Sequence, residues 1–384
     1  MRRSMAAGKK SGSRPDAARS ATAGISGRAD SRPASKVRVG LVGATGYTGM
    51  ELARLLAAHP FMFLTRAVSR REEGRALADL HPFLRGTAAG ELPVSALDPE
   101  ELARACDLVF LAVPHGAAMS LAADLLRRGL RVLDLSADFR LRDKAVYERW
   151  YATEHTEPEL SAEAVYGLPE LHGAELVGAR LTANPGCYPT GAILGLYPAL
   201  KNGIAGNSPP IIDAKSGVSG AGREAKVGSL FSEVSDNFKA YGLGTHRHTP
   251  EIEQELSRIA GRPLTVSFSP HLLPVNRGIL STIYVDLKSP DIPLRDIRAL
   301  YAEAYADRAF VRLLPEGALP DLRSVRGSMY CDIGLVKDER TGRLIIVTCI
   351  DNMCRGASGQ AVACANLMCG LPPAAGLGLI PLVP

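Results

Sequence analysis

The run Val37-Arg38-Val39-Gly40-Leu41-Val42 leads directly into Gly43-Ala44-Thr45-Gly46-Tyr47-Thr48-Gly49 and then into Met50 to Ala58. In that last stretch Leu52, Leu55 and Leu56 recur at helical spacing, and His59-Pro60 marks its end. Strand, glycine turn and helix in this order restrict the chain to a small set of α/β folds. Further strands are expected at Phe61 to Val68, Leu108 to Val113 and Arg131 to Leu135, with helices around Pro99 to Ala105 and Ala117 to Arg128 between them. Strands that alternate with helices build a doubly wound, Rossmann-type parallel sheet.

Beyond about residue 184 the rhythm changes. Expected strands at Pro210 to Ala214, Leu264 to Ser269, Ile279 to Leu287 and Leu344 to Ile350 show the apolar-polar alternation of half-exposed mixed or antiparallel sheets. Helices at Glu251 to Ile259 and Leu294 to Ala306 would pack on one face, giving an α+β second domain. Gly359 to Met368 is again apolar and helical, and is expected to return to the first domain. The resulting division is a basic extension over residues 1 to 36, a dinucleotide-binding domain over 37 to 183 completed by 353 to 384, and a catalytic and oligomerisation domain over 184 to 352.

Composition narrows the function. The chain of 384 residues is 46% hydrophobic and 22% charged, with a formal charge of +5. Residues 1 to 36 carry nine Lys/Arg and two Asp/Glu, so that segment holds +7 and the remainder −2. A basic excess confined to an Arg- and Ser-rich stretch with few large apolar residues reads as a disordered extension. It gives no ground for nucleic-acid binding. Its acid-poor character also fits an organelle transit peptide, so the expected cytoplasmic location has organelle targeting as its alternative. No apolar run approaches the roughly 20 residues that span a bilayer. Seven cysteines without a disulfide-like framework suit a reducing compartment. Cys349, Cys354, Cys364 and Cys369 lack metal-ligand spacing and a nearby His, so no metal site is expected.

The glycines have a physical purpose. Gly43, Gly46 and Gly49, between strand and helix, allow a tight turn and close approach of a pyrophosphate to the helix N-terminus. At the end of the second strand, where a site selective for NAD offers a carboxylate to the ribose 2′-hydroxyl, this chain has Ser69-Arg70-Arg71. A hydroxyl and two guanidiniums suit a 2′-phosphate, which favours NADP(H). Solvated loop arginines are the competing reading.

Asn184-Pro185-Gly186-Cys187-Tyr188-Pro189-Thr190 precedes an expected helix over Gly191 to Leu200, with Pro189 near its first turn. Cys187 beside a helix N-terminus would be stabilised as thiolate, and so would be a nucleophile. Tyr241-Gly242-Leu243-Gly244-Thr245-His246-Arg247-His248-Thr249-Pro250-Glu251 is a glycine-rich loop that presents two His and an Arg just before a helix. Such histidines shuttle protons near neutral pH.

These residues together resemble the N-acetyl-γ-glutamyl-phosphate reductase family, related to aspartate-semialdehyde dehydrogenase. The resemblance runs from Val37 onward through the glycine turn, Ala112-Val113-Pro114-His115-Gly116, Asp134-Leu135-Ser136-Ala137-Asp138-Phe139-Arg140 and Tyr166-Gly167-Leu168-Pro169-Glu170. It continues through the Cys187 and His246 motifs, Ser216-Gly217-Val218-Ser219-Gly220-Ala221-Gly222-Arg223, Pro274-Val275-Asn276-Arg277-Gly278 and Asp351-Asn352. It implies a homodimeric or homotetrameric oxidoreductase of arginine biosynthesis that uses NADPH to convert N-acetyl-L-glutamyl 5-phosphate to N-acetyl-L-glutamate 5-semialdehyde. Cys187 would form the thioester, with His246 or His248 as acid/base and His246 favoured. Besides the glycine turn and Ser69 to Arg71, the resemblance assigns Pro114, His115, Gly217 and Asn352 to the cofactor. Ser136, Arg140, Asn184, Ser216 and Arg247 are assigned to the substrate. A related reductase acting on an aminoadipyl or aspartyl phosphate would keep Cys187 and differ in the pocket, whereas a non-catalytic dinucleotide sensor has no need of either the thiol or the His-Arg-His loop.

Overall fold

The computed structural model describes residues 36 to 383, so the expectation of a disordered extension lies almost wholly outside the described residues. The first sheet is built from β1 (Val37–Val42), β2 (Met62–Val68), β3 (Val94–Ser95), β4 (Leu108–Leu111), β5 (Arg131–Asp134), β6 (Val165–Tyr166) and β7 (Leu181–Ala183). Its order is β3-β2-β1-β4-β5-β7-β6, and every pairing is parallel. Helices α1 (Tyr47–Ala57), α2 (Leu77–Leu80), α3 (Pro99–Ala105), α4 (Met119–Arg127), α5 (Lys144–Tyr151), α6 (Pro158–Glu163) and α7 (Pro169–Leu176) connect or flank these strands. A parallel sheet needs cover on both faces, which is why β4 is buried at every position. α3 begins where Asp98 accepts hydrogen bonds from Glu100 N and Glu101 N and Pro99 supplies the fixed φ of a first turn.

The second sheet is mixed, in agreement with the reading of the sequence. It comprises β8 (Ile211–Gly217), β9 (Lys239–Ala240), β10 (Ser267–Leu273), β11 (Ile279–Asp286), β12 (Val311–Leu313), β13 (Cys331–Asp338) and β14 (Arg343–Ile350), in the order β12-β13-β14-β11-β8-β10-β9. Buried and half-buried residues alternate strictly along β11, the mark of a sheet covered by helices on one face. The covering helices are α8 (Cys187–Lys201), α10 (Thr249–Ala260) and α11 (Leu294–Tyr305), while the short α9 (Phe231–Val234) lies in the excursion between β8 and β9. α8 is apolar nearly all round and buried along most of its length, so it forms the centre of the second core. Gly195 lets it approach the sheet: a side-chain carbon there would lie 2.8 Å from Thr348 Cγ2.

The chain then returns to the first sheet. α12 (Gly359–Met368) contributes Val362, Cys364 and Met368 to the same core as Val39 and Leu41 of β1. Where an element was expected, its position agrees to within a few residues; the short strands β3, β6, β7, β9 and β12, the helices α2, α5, α6, α7 and α9, and the eight-residue β13 were not expected. α8 begins at Cys187 rather than at Gly191, which places the cysteine in the first turn of the helix.

Candidate active site

The site lies where the C-terminal ends of the parallel strands face the start of α8. At the glycine turn Gly43 has φ +89°, and a side-chain carbon there would lie 2.2 Å from Ala112 O, so only glycine fits. Gly49 is equally closed, with Gly43 O at 2.2 Å, whereas at Gly46 the nearest atom would be 3.8 Å away. Gly46 is the N-cap of α1 and supplies no side-chain cap. The first-turn N–H groups therefore face an open cradle that fits a pyrophosphate. Ala44 O is held by His81 Nε2 at 2.8 Å, and Thr48 O accepts from Ser358 Oγ at 2.9 Å. Thr45 Oγ1 lies 3.3 Å from Ser69 Oγ, and Arg70 and Arg71 are exposed beside them. Pro114 and His115 are exposed past the end of β4. His115 Nδ1 accepts from Ala137 N at 3.0 Å, which puts the proton of the neutral ring on Nε2.

Cys187 sits in a tight surround. Gly186 is the N-cap of α8, and a side-chain carbon there would lie 2.5 Å from His248 Nε2, so the glycine is what lets the imidazole ring lie against the cysteine loop. On the other side a carbon at Gly356 would lie 2.8 Å from Cys187 Cβ. Gly356 belongs to a π-turn, Cys354–Ser358, in which Ser358 N donates to Met353 O.

The thiol differs here from the expectation of a helix-stabilised thiolate. The loss of water around the sulfur raises its pKa to about 11, outweighing Arg140 and the N–H groups of Tyr188 and Cys187, which favour the anion. Desolvation is the stronger effect.

Glu251, quoted within the His-Arg-His motif but given no role there, is the anchor of the pocket. Its buried Oε1 accepts from Gly186 N at 2.8 Å and from Tyr166 OH at 2.8 Å, while Oε2 lies 3.3 Å from Arg140 Nη1. Arg140 also donates to Asn184 O at 2.7 Å and Leu135 O at 3.0 Å, so its guanidinium holds the cysteine loop. Asn184 Nδ2 reaches Ala357 O at 3.2 Å, and its Oδ1 is buried with no partner among the described residues. Ser136 Oγ donates to Asp134 at 2.7 Å and accepts from Asp138 N at 3.1 Å, which engages the hydroxyl within its own loop. Ser216 Oγ donates to Gly217 O at 3.0 Å. Asn352 ties two loops, accepting from Gly278 N at 2.7 Å and donating to Ser219 Oγ at 2.9 Å. Gly217 is packed on Asn276, whose carbonyl would be 2.8 Å from an added side-chain carbon.

The two loop histidines are in different states. His246 Nδ1 accepts from His248 N at 3.1 Å, and burial together with Arg247 lowers its pKa to about 4. Burial and the neighbouring His246 and Arg140 push His248 further below the usual range, and its Nδ1 has no partner among the described residues. Both rings are neutral at neutral pH. Arg247 makes no ion pair among the described residues, and its guanidinium lies 5.5 Å from the centre of the Tyr151 ring. Tyr151 itself donates to Arg247 O at 3.3 Å and stacks on Tyr147 at 4.8 Å. No signal in the sequence pointed to Tyr151. Among the described residues no group of His, Cys, Asp and Glu is arranged to hold a metal ion, and no helix is long and apolar enough to cross a membrane.

Residues 38–179 match the family described as semialdehyde dehydrogenase, NAD binding domain, and residues 187–352 match the semialdehyde dehydrogenase dimerisation domain. An N-acetyl-gamma-glutamyl-phosphate reductase of Desulfotalea psychrophila is 52% identical over 349 residues, covering 91% of this chain and all of that protein. Proteins of the same name from Pelotomaculum thermopropionicum and Geobacter sulfurreducens are 51% and 52% identical over 348 and 349 residues, covering 90% and 91% of this chain and 99% and 100% of theirs. Among solved structures, aspartate semialdehyde dehydrogenase II of Vibrio cholerae, complexed with ASA, superposes with a TM-score of 0.65 at 17% identity over 87% of this chain and 98% of its own. The Candida albicans aspartate semialdehyde dehydrogenase with NADP gives 0.63 at 17% identity, over 87% and 99%.

Proposed function

This chain belongs to the N-acetyl-γ-glutamyl-phosphate reductase family of semialdehyde dehydrogenase enzymes, and we propose that it converts N-acetyl-L-glutamyl 5-phosphate to N-acetyl-L-glutamate 5-semialdehyde in arginine biosynthesis. The carrying observation is the placement of Cys187 in the first turn of α8, with Gly356 against its Cβ and the His248 ring against the preceding Gly186. Gly43, Gly46 and Gly49 would hold NADPH at the turn, with Ser69, Arg70 and Arg71 toward its 2′-phosphate, and the cofactor would supply there the hydride that reduces the thioester. The open cradle at Gly46 and the exposed guanidiniums support that placement.

The remaining steps belong to the chain's own residues. A neutral imidazole takes the Cys187 proton; the sulfur then bonds to the γ-carbonyl carbon as the bond from that carbon to the phosphate oxygen breaks and phosphate leaves. After reduction the imidazolium protonates the hemithioacetal oxygen, takes that proton back as the carbon–sulfur bond breaks and the aldehyde departs, and returns it to the Cys187 sulfur. A thiol raised to about 11 is not stored as thiolate, so this base is needed at the attack step. The sequence favoured His246; the packing of His248 against Gly186 and its unpaired Nδ1 favour His248 instead, because His246 Nδ1 already accepts a backbone hydrogen bond.

Arg247, beside Tyr151 and without an ion pair among the described residues, is assigned to the substrate carboxylate or phosphate, and Asn184 Oδ1 to a substrate N–H. Arg140, engaged with Glu251 and the loop carbonyls, positions Cys187 and adds positive potential to the pocket. Ser136 and Ser216 are assigned to the substrate, and Pro114, His115, Gly217 and Asn352 to the cofactor. The proposed setting is a homo-oligomer in the cytoplasm, formed through the second sheet domain.

The test is a panel of aldehydes assayed for NADP reduction in the presence of phosphate. N-acetylglutamate semialdehyde should be oxidised at least about a hundredfold more efficiently than the aspartate or aminoadipate semialdehydes, the discrimination of a site that hydrogen-bonds its substrate. A preference for either of the others would overturn the substrate assignment.

A further inference from the structure

Between β8 and β9 the chain leaves the second sheet, and the excursion is apolar in an unexpected way. Val227 is 73% exposed, Leu230 49%, Phe231 84% and Phe238 55%. Monomeric soluble proteins rarely present such side chains together, and a cluster of this kind marks an interaction surface. The arm is not a loose loop that would fold back on them. At its start Arg223 Nη1 donates to Thr45 O at 2.7 Å, and at its end β9 pairs with β10 while Tyr241 OH meets Tyr188 OH at 2.8 Å. Phe238 rests on His271, with ring centres 5.2 Å apart. Both ends are thus tied to the body, and the apolar groups between them stay uncovered.

Two observations select the partner. Residues 187–352, which match a family described as a dimerisation domain, contain the whole arm. Its charges are also balanced: Arg223, Lys226 and Lys239 against Glu224, Glu233 and Asp236. A strongly acidic or basic partner would find no complement there, whereas a twofold-related copy of the same surface would. We infer that the arm packs against a second copy of this chain in solution, with Val227 and Phe231 as the buried anchors of the contact. The inference rests on the proposed homo-oligomer and names the surface that forms it.

Sedimentation of the full chain and of Phe231→Asp and Val227→Asp tests this, with Val177→Asp as a control at an apolar residue 62% exposed on the first half of the molecule. The expected result is a wild-type oligomer whose dissociation constant rises roughly tenfold or more in both arm variants, as for loss of an interface anchor, and is unchanged in the control. An oligomer unaffected by either arm variant overturns the arm as interface and leaves the homo-oligomer reading intact. A wild-type monomer overturns both. Weakening of the control by the same factor also overturns the inference, since the effect would then not be local. Amide exchange in the wild type needs no variant to fold: protection over residues 227 to 238 should fall on dilution below the dissociation constant, and equal exchange at both concentrations contradicts the contact.

Discussion

A side-chain carbon at Gly46, in the dinucleotide turn, would meet only one atom, at 3.8 Å, whereas one at Gly186, beside the thiol, would lie 2.5 Å from the His248 ring. The same contrast runs through the charged groups. Arg70 and Arg71 stand exposed next to the turn, while Arg140 beneath the cysteine loop is buried and engaged by Asn184 O, Leu135 O and Glu251. A site that binds a large, charged dinucleotide gains from an open, solvated cradle. A site that must form and break a bond to carbon gains from fixed geometry and excluded water, and there the helix dipole alone does not keep a thiol ionised. The two regions therefore divide the work, with affinity on one side and positioning on the other.

The contrast is broken most sharply at the imidazoles. His248→Ala should lower kcat by roughly 10²–10⁴, the range for loss of a general acid/base, and His246→Ala should act mainly on KM. The reverse pattern in steady-state kinetics would move the acid/base to His246, and wild-type kcat in both would remove the loop from proton transfer.

The two regions are also joined, through Arg277. It bridges Glu51 on α1 and Asp351 at the end of β14, at 2.8 Å to each carboxylate. Burial pushes the Glu51 carboxyl up, but Arg54 and Arg277 outweigh it and hold it at about 2. Arg277→Met leaves two buried carboxylates short of a partner and should cost about 2–4 kcal/mol in urea unfolding, less than for a fully buried pair because the Arg is partly exposed. The sign follows from the depressed folded pKa. The contribution of Glu51 is fully present above its unfolded value near 4.3 and is lost as pH falls toward 2, so the difference between wild type and variant should shrink over that window. A variant as stable as wild type at neutral pH would show that the bridge does not hold the halves together.

On the open side smaller effects are expected. Replacing Arg70 and Arg71 with Ala should weaken NADPH binding about ten- to a hundredfold while leaving NADH nearly unchanged. Equal losses for both cofactors in a fluorescence titration would sink the 2′-phosphate assignment. The smallest change is a shift of profile. Alkylation of Cys187 by iodoacetamide in the free enzyme should rise toward pH 11 rather than near the ordinary thiol value of about 8.5. A half-maximal rate below pH 8.5 would instead restore the helix-stabilised thiolate.

The regions differ equally in how far the sequence exposes them. The glycine turn is largely local: strand, turn and helix are contiguous and Gly49 is closed by Gly43 O within that unit, although Gly43 is closed by Ala112 O beyond the distant β4. The thiol pocket is assembled from distant segments. Gly356 meets Cys187 from across the chain, Glu251 reaches Gly186, and Tyr151 reaches Arg247, none of which leaves a periodic trace. The motif around Cys187 was legible because glycine and proline fix its turn, but the direction of its pKa was not. That direction depends on how much water the π-turn and α10 exclude. Arg140 shows the same limit, since residue type names a guanidinium and only the fold shows that loop carbonyls and Glu251 already engage it. β13 escaped because Cys331 to Leu335 is buried throughout, which removes the alternation that betrays its neighbour β11.

The central claim is a covalent bond between Cys187 and the acyl group, and a burst experiment reads it directly. Enzyme mixed with N-acetylglutamate semialdehyde and NADP, with phosphate withheld, should form one NADPH per active site as the thioester accumulates, and then stall. Adding phosphate should release turnover, and Cys187→Ser should give no burst. Failure of the wild type to produce a stoichiometric burst, or the same burst from the Ser variant, would contradict a thioester on Cys187.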